Sequence, residues 1–214
     1  MLNRILTLCF LIFFTHSLFA QKTFKPTTHV GVFGGLNYAM ASFKPSLKQG
    51  LVNAEAYGLM IRHVSEPHIG LQLEVSASGK GWKERIDSVG DYTRKMETIH
   101  IPVTAAFIVG SRTLRLAFTI GPYVSYLRDE KEIIKIDNPL EYRKHYGIAL
   151  KQKWEFGFTG GAGVELHTKI GGFSIRAAYS HSLTNMFSLH DEEYYFSASR
   201  NQFLHGGVMY FITF

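Results

Sequence analysis

Residues 68–79 read HIGLQLEVSASG. Ile69, Leu71, Leu73, Val75 and Ala77 fall on one side of an extended chain, and Gly70, Gln72, Glu74, Ser76 and Ser78 on the other. A helix would scatter these apolar residues around its axis. A strand gathers them on one face, because its side chains alternate with a period of two. The stretch therefore reads as a strand with one dry face and one wet face.

The same period recurs on either side of it. Val30, Val32, Leu36 and Tyr38 alternate with Gly31, Phe33, Gly35 and Asn37, and Tyr57, Leu59 and Ile61 share a face within residues 54–63. Downstream, Ile99, Ile101, Val103, Ala105 and Phe107 alternate with polar or small neighbours. So do Leu114 to Tyr126 in 113–128, Trp154 to Leu166 in 153–167, and Phe173 to Tyr179 in 172–183. A last strand from about Asn201 carries Leu204, Val208, Tyr210, Ile212 and Phe214 on one face.

That makes eight strands. Short links near 65–67, 110–113 and 169–172 alternate with long polar ones near 41–53, 80–93, 129–152 and 184–199. With both chain ends on one side, every short turn falls on that side and every long loop on the other. This is the plan of an all-β, eight-stranded, antiparallel up-and-down transmembrane barrel, with short periplasmic turns and long external loops. A soluble β-sandwich or a lipocalin-like barrel also alternates, with its apolar face turned inward. Strand length favours the membrane: the runs are roughly 10–14 residues, against about 5–6 for soluble strands and about 9–11 for membrane ones. Aromatic residues near strand ends (Tyr38, Tyr57, Trp82, Tyr126, Trp154, Tyr179 and Tyr210) read as interfacial girdles.

The chain opens MLNRILTLCFLIFFTHSLFAQ. An early Arg4, an apolar run from Ile5 to Phe14 and Ala20 before Gln21 are the layout of a secretory signal peptide, with Leu18 where a second small residue is usual. The run is shorter than the ~20 residues that span a bilayer as a helix. The expected division is a signal peptide over 1–20 and a barrel domain over 21–214. Cys9 is the single cysteine and lies inside the apolar run, which excludes disulfides, thiol catalysis and cysteine metal sites from 21–214. Removing Arg4 lowers the formal net charge from +6 to +5, and no lysine-arginine run points to nucleic acid.

Eight strands enclose a lumen just wide enough to be filled by side chains, which argues against a diffusive pore. The inward faces supply Arg62, Gln72, Glu74, Arg115, Glu155, Glu165, His167 and Arg176, expected to form a packed, ion-paired polar network in preference to an ion path. Inward glycines (Gly31, Gly35, Gly157, Gly161 and Gly163) relieve crowding there. No catalytic, cofactor or metal residues are assigned. His181 and Ser182 are adjacent and so face opposite ways on a regular strand. Asp191, Glu192 and Glu193 lack calcium-loop spacing. No helix follows GGAGVE to cradle a phosphate.

The terminal stretch GVMYFITF carries Tyr210, Ile212 and Phe214, which resemble the C-terminal insertion signal of outer-membrane barrels. The strand motifs GVFGGLNYA, GLQLEVSASGKGW, IHIPVTAAF, IGPYVSYLRD, GFTGGAGVEL and YSHSLTNM, in that order, resemble the PorT-like outer-membrane barrels of Bacteroidetes, which are of OmpA and OmpX size. His100 and Ser182 depart from that pattern. The resemblance implies an eight-stranded barrel in the outer membrane and says little about activity. From the residues themselves the protein is expected to be non-enzymatic, with periplasmic termini. Its expected partners are outer-membrane lipid and lipopolysaccharide, the barrel assembly machinery through the last strand, and an envelope protein, with no nucleic acid and a monomeric state. It would act through its external loops or a partner complex. A role as accessory to a secretion or gliding system and a lipid A-modifying activity are the alternatives.

Overall fold

The computed structural model describes residues 24–86, 90–136, 146–187 and 197–214. The expected signal segment and the acidic trio Asp191, Glu192 and Glu193 lie outside the described residues. One antiparallel sheet is built from β1 (Thr27–Lys44), β2 (Gln49–Gly50), β3 (Val52–Glu66), β4 (Ile69–Ile86), β5 (Gly90–Gly110), β6 (Leu114–Ile136), β7 (Trp154–Thr168), β8 (Gly171–Ser182) and β9 (Ala198–Thr213). β2 is a two-residue piece against Lys83 and Glu84. The other eight follow one another around a ring in chain order, and β9 returns to pair with β1.

Closure is a physical requirement of the outward face. That face is apolar on every strand, with Val32, Leu59, Leu71, Ile120, Phe158 and Val208 among its exposed residues. Lipid offers no hydrogen bonds, so backbone groups must all be paired within the sheet, and a ring removes the two edges. The seam runs from His29 opposite Thr213 to Lys44 opposite Ala198. It extends one residue further, where the Thr28 amide donates to the Phe214 carbonyl (3.0 Å) and the Phe214 amide to the Thr28 carbonyl (2.8 Å).

The two ends of the ring differ. Three tight links join β3 to β4, β5 to β6 and β7 to β8 at the end where the described chain begins and finishes, hereafter the turn end. At the opposite loop end the strands run further than their lipid-facing pattern. β5 and β6 span 21 and 23 residues. Residues 80–93, expected as a polar loop, are instead mostly strand: β4 and β5 stay paired up to Ile86 opposite Gly90. Ile133, Ile134 and Ile136, within the long polar connector expected near 129–152, continue β6 against β5.

The reason is a reversal of phase. On β4 the odd positions are apolar and lipid-facing up to Ala77, whereas beyond Gly79 the inward positions Lys80, Trp82 and Glu84 are buried and the outward Arg85 is exposed. On β1 the outward apolar series ends at Tyr38, and Ala39, Ala41 and Phe43 are buried inside. Apolar-out suits lipid and apolar-in suits water, so the switch marks where the wall leaves the membrane. Trp82 is therefore not an interfacial girdle residue as its place near a strand end suggested. It is fully buried inside the barrel. Tyr38, Tyr57, Trp154 and Tyr179 are exposed on the outer wall, and Tyr126 packs against Trp154 with ring centroids 4.9 Å apart.

Candidate functional site

The lumen is filled by charged and polar side chains in tiers. In the tier towards the turn end, Arg62 donates through Nη1 to Glu165 Oε1 (2.6 Å) and through Nε to Gln72 Oε1 (2.6 Å). His167 Nε2 lies 3.4 Å from Glu165 Oε2. Gln72 Nε2 donates to Glu74 Oε1 (2.5 Å), which links this tier to the next. There Arg176 grips Glu74 with two donors, Nη1 to Oε1 and Nη2 to Oε2, the latter at 2.8 Å. This is the bidentate geometry that only a guanidinium supplies. The Arg176 guanidinium also stands 4.2 Å over the Phe33 ring. Beside it, His205 Nδ1 is 3.0 Å from Asn37 Oδ1, and His100 Nδ1 is 2.7 Å from Ser125 Oγ.

In the next tier Glu155 accepts from Lys80 Nζ (2.7 Å), Tyr123 Oη (2.9 Å) and Asn201 Nδ2 (2.6 Å). A buried carboxylate is tolerated when opposite charge and hydrogen bonds surround it, and this one has three donors. Seven of the eight residues expected in the lumen lie in these tiers. Arg115 stands apart at the start of β6, where its Nε donates to the Ser111 carbonyl (3.2 Å) in the adjoining turn. Lys80, Tyr123, Asn201, Asn37, His100 and His205 belong to the lumen as well. Lys80 was hidden because its segment reads as loop, although the even parity of β4 already assigns it inward.

Backbone shape makes room for these side chains. Gly35 and Gly207 face each other across the seam. A Cβ on Gly35 would lie 2.2 Å from the Gly206 carbonyl oxygen and 2.6 Å from the Gly207 Cα. On β7, a Cβ at Gly157 would meet the Tyr123 ring at 2.7 Å. Two cavities of about 40 and 20 Å³ lie among these side chains, room for one to a few waters.

Above the tiers an aromatic cluster closes the loop end. Phe43, Trp82, Tyr92, Met96, Tyr146 and Phe187 are buried together, and Tyr92 and Tyr146 stack at 4.0 Å. Arg94 is buried within this cluster, 5.5 Å from the Trp82 ring centroid and 5.7 Å from that of Phe187. It donates to Tyr92 Oη (2.9 Å) and the Ile148 carbonyl (2.7 Å), and pairs with Glu132 and, at 3.5 Å, Glu130. Those two acids reach it because of a bulge. Glu97 pairs with Asp129 but Thr98 with Leu127, so Arg128 is an extra residue in β6. One extra residue re-aims every side chain beyond it. Glu84 accepts from Trp82 Nε1 (2.8 Å) and Tyr146 Oη (3.0 Å). Burial holds the Tyr92 phenol above its ordinary range, so it stays protonated. The cluster ties residues 146–150 and 186–187 to the strands, and a sequence pattern read by strand alone gives no sign of it.

His181 and Ser182 point to opposite faces. Ser182 is buried inside with its Oγ donating to the Thr184 carbonyl (3.0 Å), while His181 belongs to the outer wall, opposite Gln202 on β9. Among the described residues no group of three His, Cys, Asp or Glu side chains is placed to hold a metal ion.

Among solved structures the chain is similar to the outer membrane protein OprG from Pseudomonas aeruginosa, at 11% identity and a TM-score of 0.54, covering 88% of this chain and 95% of that one. It is also similar to the attachment invasion locus protein Ail of Yersinia pestis, at 10% identity and a TM-score of 0.45, covering 88% and 100%. Neisserial surface protein A matches at 10% identity and a TM-score of 0.41, covering 86% and 96%. At such identities the likeness to OprG speaks for the fold alone. No curated protein matches the chain. Residues 19–188 match the family model described as outer membrane protein beta-barrel domain, and with its closed ring and lipid-facing wall the chain belongs to that outer-membrane β-barrel family.

Proposed function

We propose that this protein is a monomeric, non-catalytic barrel of the PorT-like kind that displays its loop end to a partner in the cell envelope. The turn end, with both termini, faces the periplasm, and the loop end faces outward into lipopolysaccharide. The observation that carries the reading is the aromatic cap around Arg94, which braces residues 146–150 and 186–187 above a lumen packed with ion pairs. A filled lumen gives little room for transport, whereas a braced end holds residues 146–150 and 186–187 in place for a partner to recognise, which lowers the ordering cost of binding. Tyr210, Ile212 and Phe214 on β9 are the segment read by the assembly machinery, and a strand that closes the ring suits that role.

The test has two steps. Envelope fractionation followed by gels with and without boiling is expected to give heat-dependent mobility in the outer-membrane fraction, with the loop end accessible to surface labelling. Shortening the connectors at that end is expected to preserve the mobility shift and to reproduce the phenotype of a deletion strain. A protein labelled only from the periplasmic side would refute the orientation. Retained function after loop shortening would refute the loop-display reading. A deletion strain defective in protein export would move the reading to a secretion accessory.

A further inference from the structure

We propose that the mouth of the barrel at the turn end is a binding site for a phosphate-type oxyanion. A cup of about 260 Å³ opens there, and its polar lining includes His29, His68, Arg112, Arg115, His167 and Thr213. This is room for a small ligand or headgroup. No carboxylate contributes to the lining. The nearest acid deeper in the lumen, Glu165, is engaged by Arg62 and His167. The cup therefore presents two guanidinium groups with no described carboxylate paired to either, although every arginine in the tiers above has one.

A second observation points the same way. His29 is 2% exposed and lines the cup. Its Nδ1 is 2.8 Å from Thr213 Oγ1, but its buried Nε2 has no hydrogen-bond partner. The Thr213 hydroxyl can donate to Nδ1, which puts the ring proton on Nε2 and leaves it without an acceptor. Buried polar groups without partners are rare and call for a ligand or water. The ring is held edge-on to Phe211 at 5.2 Å and to His167 at 6.0 Å, so its orientation is set before any ligand arrives.

The elements around the cup are held rigidly. His29 and Thr213 are partners across the barrel seam. Arg112 lies in the tight β5–β6 link, whose Ser111 amide donates to the Leu114 carbonyl (2.8 Å). Arg115 is fixed by its bond to Ser111 (3.2 Å), leaving its Nη donors free of described partners. A phosphate group carries several acceptor oxygens that suit the guanidinium donors of the cup, whereas a metal ion is disfavoured by the positive charge and by the absence of a ligating trio among the described residues. The ligand is a phosphate group, whether free in solution or on a phospholipid headgroup.

The test uses the folded full chain in octyl glucoside, a detergent without phosphate. Calorimetric titration with inorganic phosphate is expected to show saturable binding. The Arg112→Gln/Arg115→Gln variant is expected to bind at least about tenfold more weakly while keeping its heat-dependent mobility. A control variant at the loop end, Lys95→Gln/Arg128→Gln, is expected to match wild type. Repeating the titration with short-chain phosphatidylglycerol distinguishes the sources: competition assigns the site to a lipid headgroup, and its absence assigns it to free phosphate. No saturable binding, or equal affinity in the turn-end variant, overturns the site and leaves a water-filled mouth. Because the titration reads the turn end alone, its failure leaves the loop-display function standing, and the reverse also holds.

Discussion

Replacing both members of the Arg62–Glu165 pair is expected to cost the barrel less than the sum of the two single removals. The two groups are 3% and 1% exposed and 2.6 Å apart. At an effective dielectric near 20 the gross attraction at that distance is about 6 kcal/mol. Much of it offsets the desolvation of both ions, so the pair adds little net stability over an apolar replacement. Glu165→Gln, however, leaves a buried guanidinium facing only neutral acceptors, and Arg62→Met leaves a buried carboxylate with only His167 as described partner. Each single change is expected to cost about 3–5 kcal/mol. The double variant Arg62→Met/Glu165→Gln should cost less than the sum by about 2 kcal/mol or more, the range of coupling between contacting residues. The assay is reversible urea unfolding in phospholipid vesicles, followed by Trp154 emission in a Trp82→Phe background and by gel mobility. Additive single effects, or singles below about 1 kcal/mol, would refute the ion-paired lumen.

Three further outcomes follow from the geometry. Gly35→Val is expected to prevent ring closure and abolish heat-dependent mobility, because its Cβ meets backbone at 2.2 Å, whereas Gly206→Ala, with nothing within 4 Å of its Cβ, should stay within about 1 kcal/mol of wild type. Folding of both variants to the same yield would show the seam to be looser than described. Lipid carrying bromine on its acyl chains is expected to quench Trp154, which is 51% exposed on the outer wall, and to leave Trp82, fully buried, unquenched. The variants Trp82→Phe and Trp154→Phe separate the two signals, and quenching of Trp82 would contradict the phase reversal on β4. Arg94→Gln leaves Glu130 and Glu132 without their buried cation and should open the loop end to protease by several-fold while the membrane-embedded strands remain protected. Uniform resistance would mean that the aromatic cluster holds without it.

The strands were legible because lipid imposes a simple rule. Each outward position must be apolar, so Ile69 to Ala77, Leu114 to Ile120 and Val208 to Ile212 announce themselves without knowledge of any partner. Arg62, Glu74, Glu155 and Glu165 were legible on the same parity, since whatever does not face lipid faces the lumen. Parity holds on β4 past the membrane as well, where Lys80 and Trp82 face inward although 80–93 was expected as a loop and Trp82 as a girdle residue. Composition misled there, because a segment rich in Lys, Glu and Gly reads as a solvated loop. The pattern inverts at the water boundary, and a reading that expects one hydrophobic face throughout stops at the inversion.

What the sequence by itself determined is the wall: strand number, the face each residue takes, and the alternation of tight turns with long connectors. These depend on neighbours along one strand and on the solvent each face meets. Tertiary structure decided the pairings across the lumen, such as Arg62 with Glu165 and Lys80 with Glu155, separated by 103 and 75 residues. It also decided the bulge at Arg128 that turns Glu130 and Glu132 towards Arg94, and the meeting of β1, β6, β7 and β9 residues around the turn-end cup. Those contacts follow from the stagger of a closed ring, and stagger is a property of all eight strands at once.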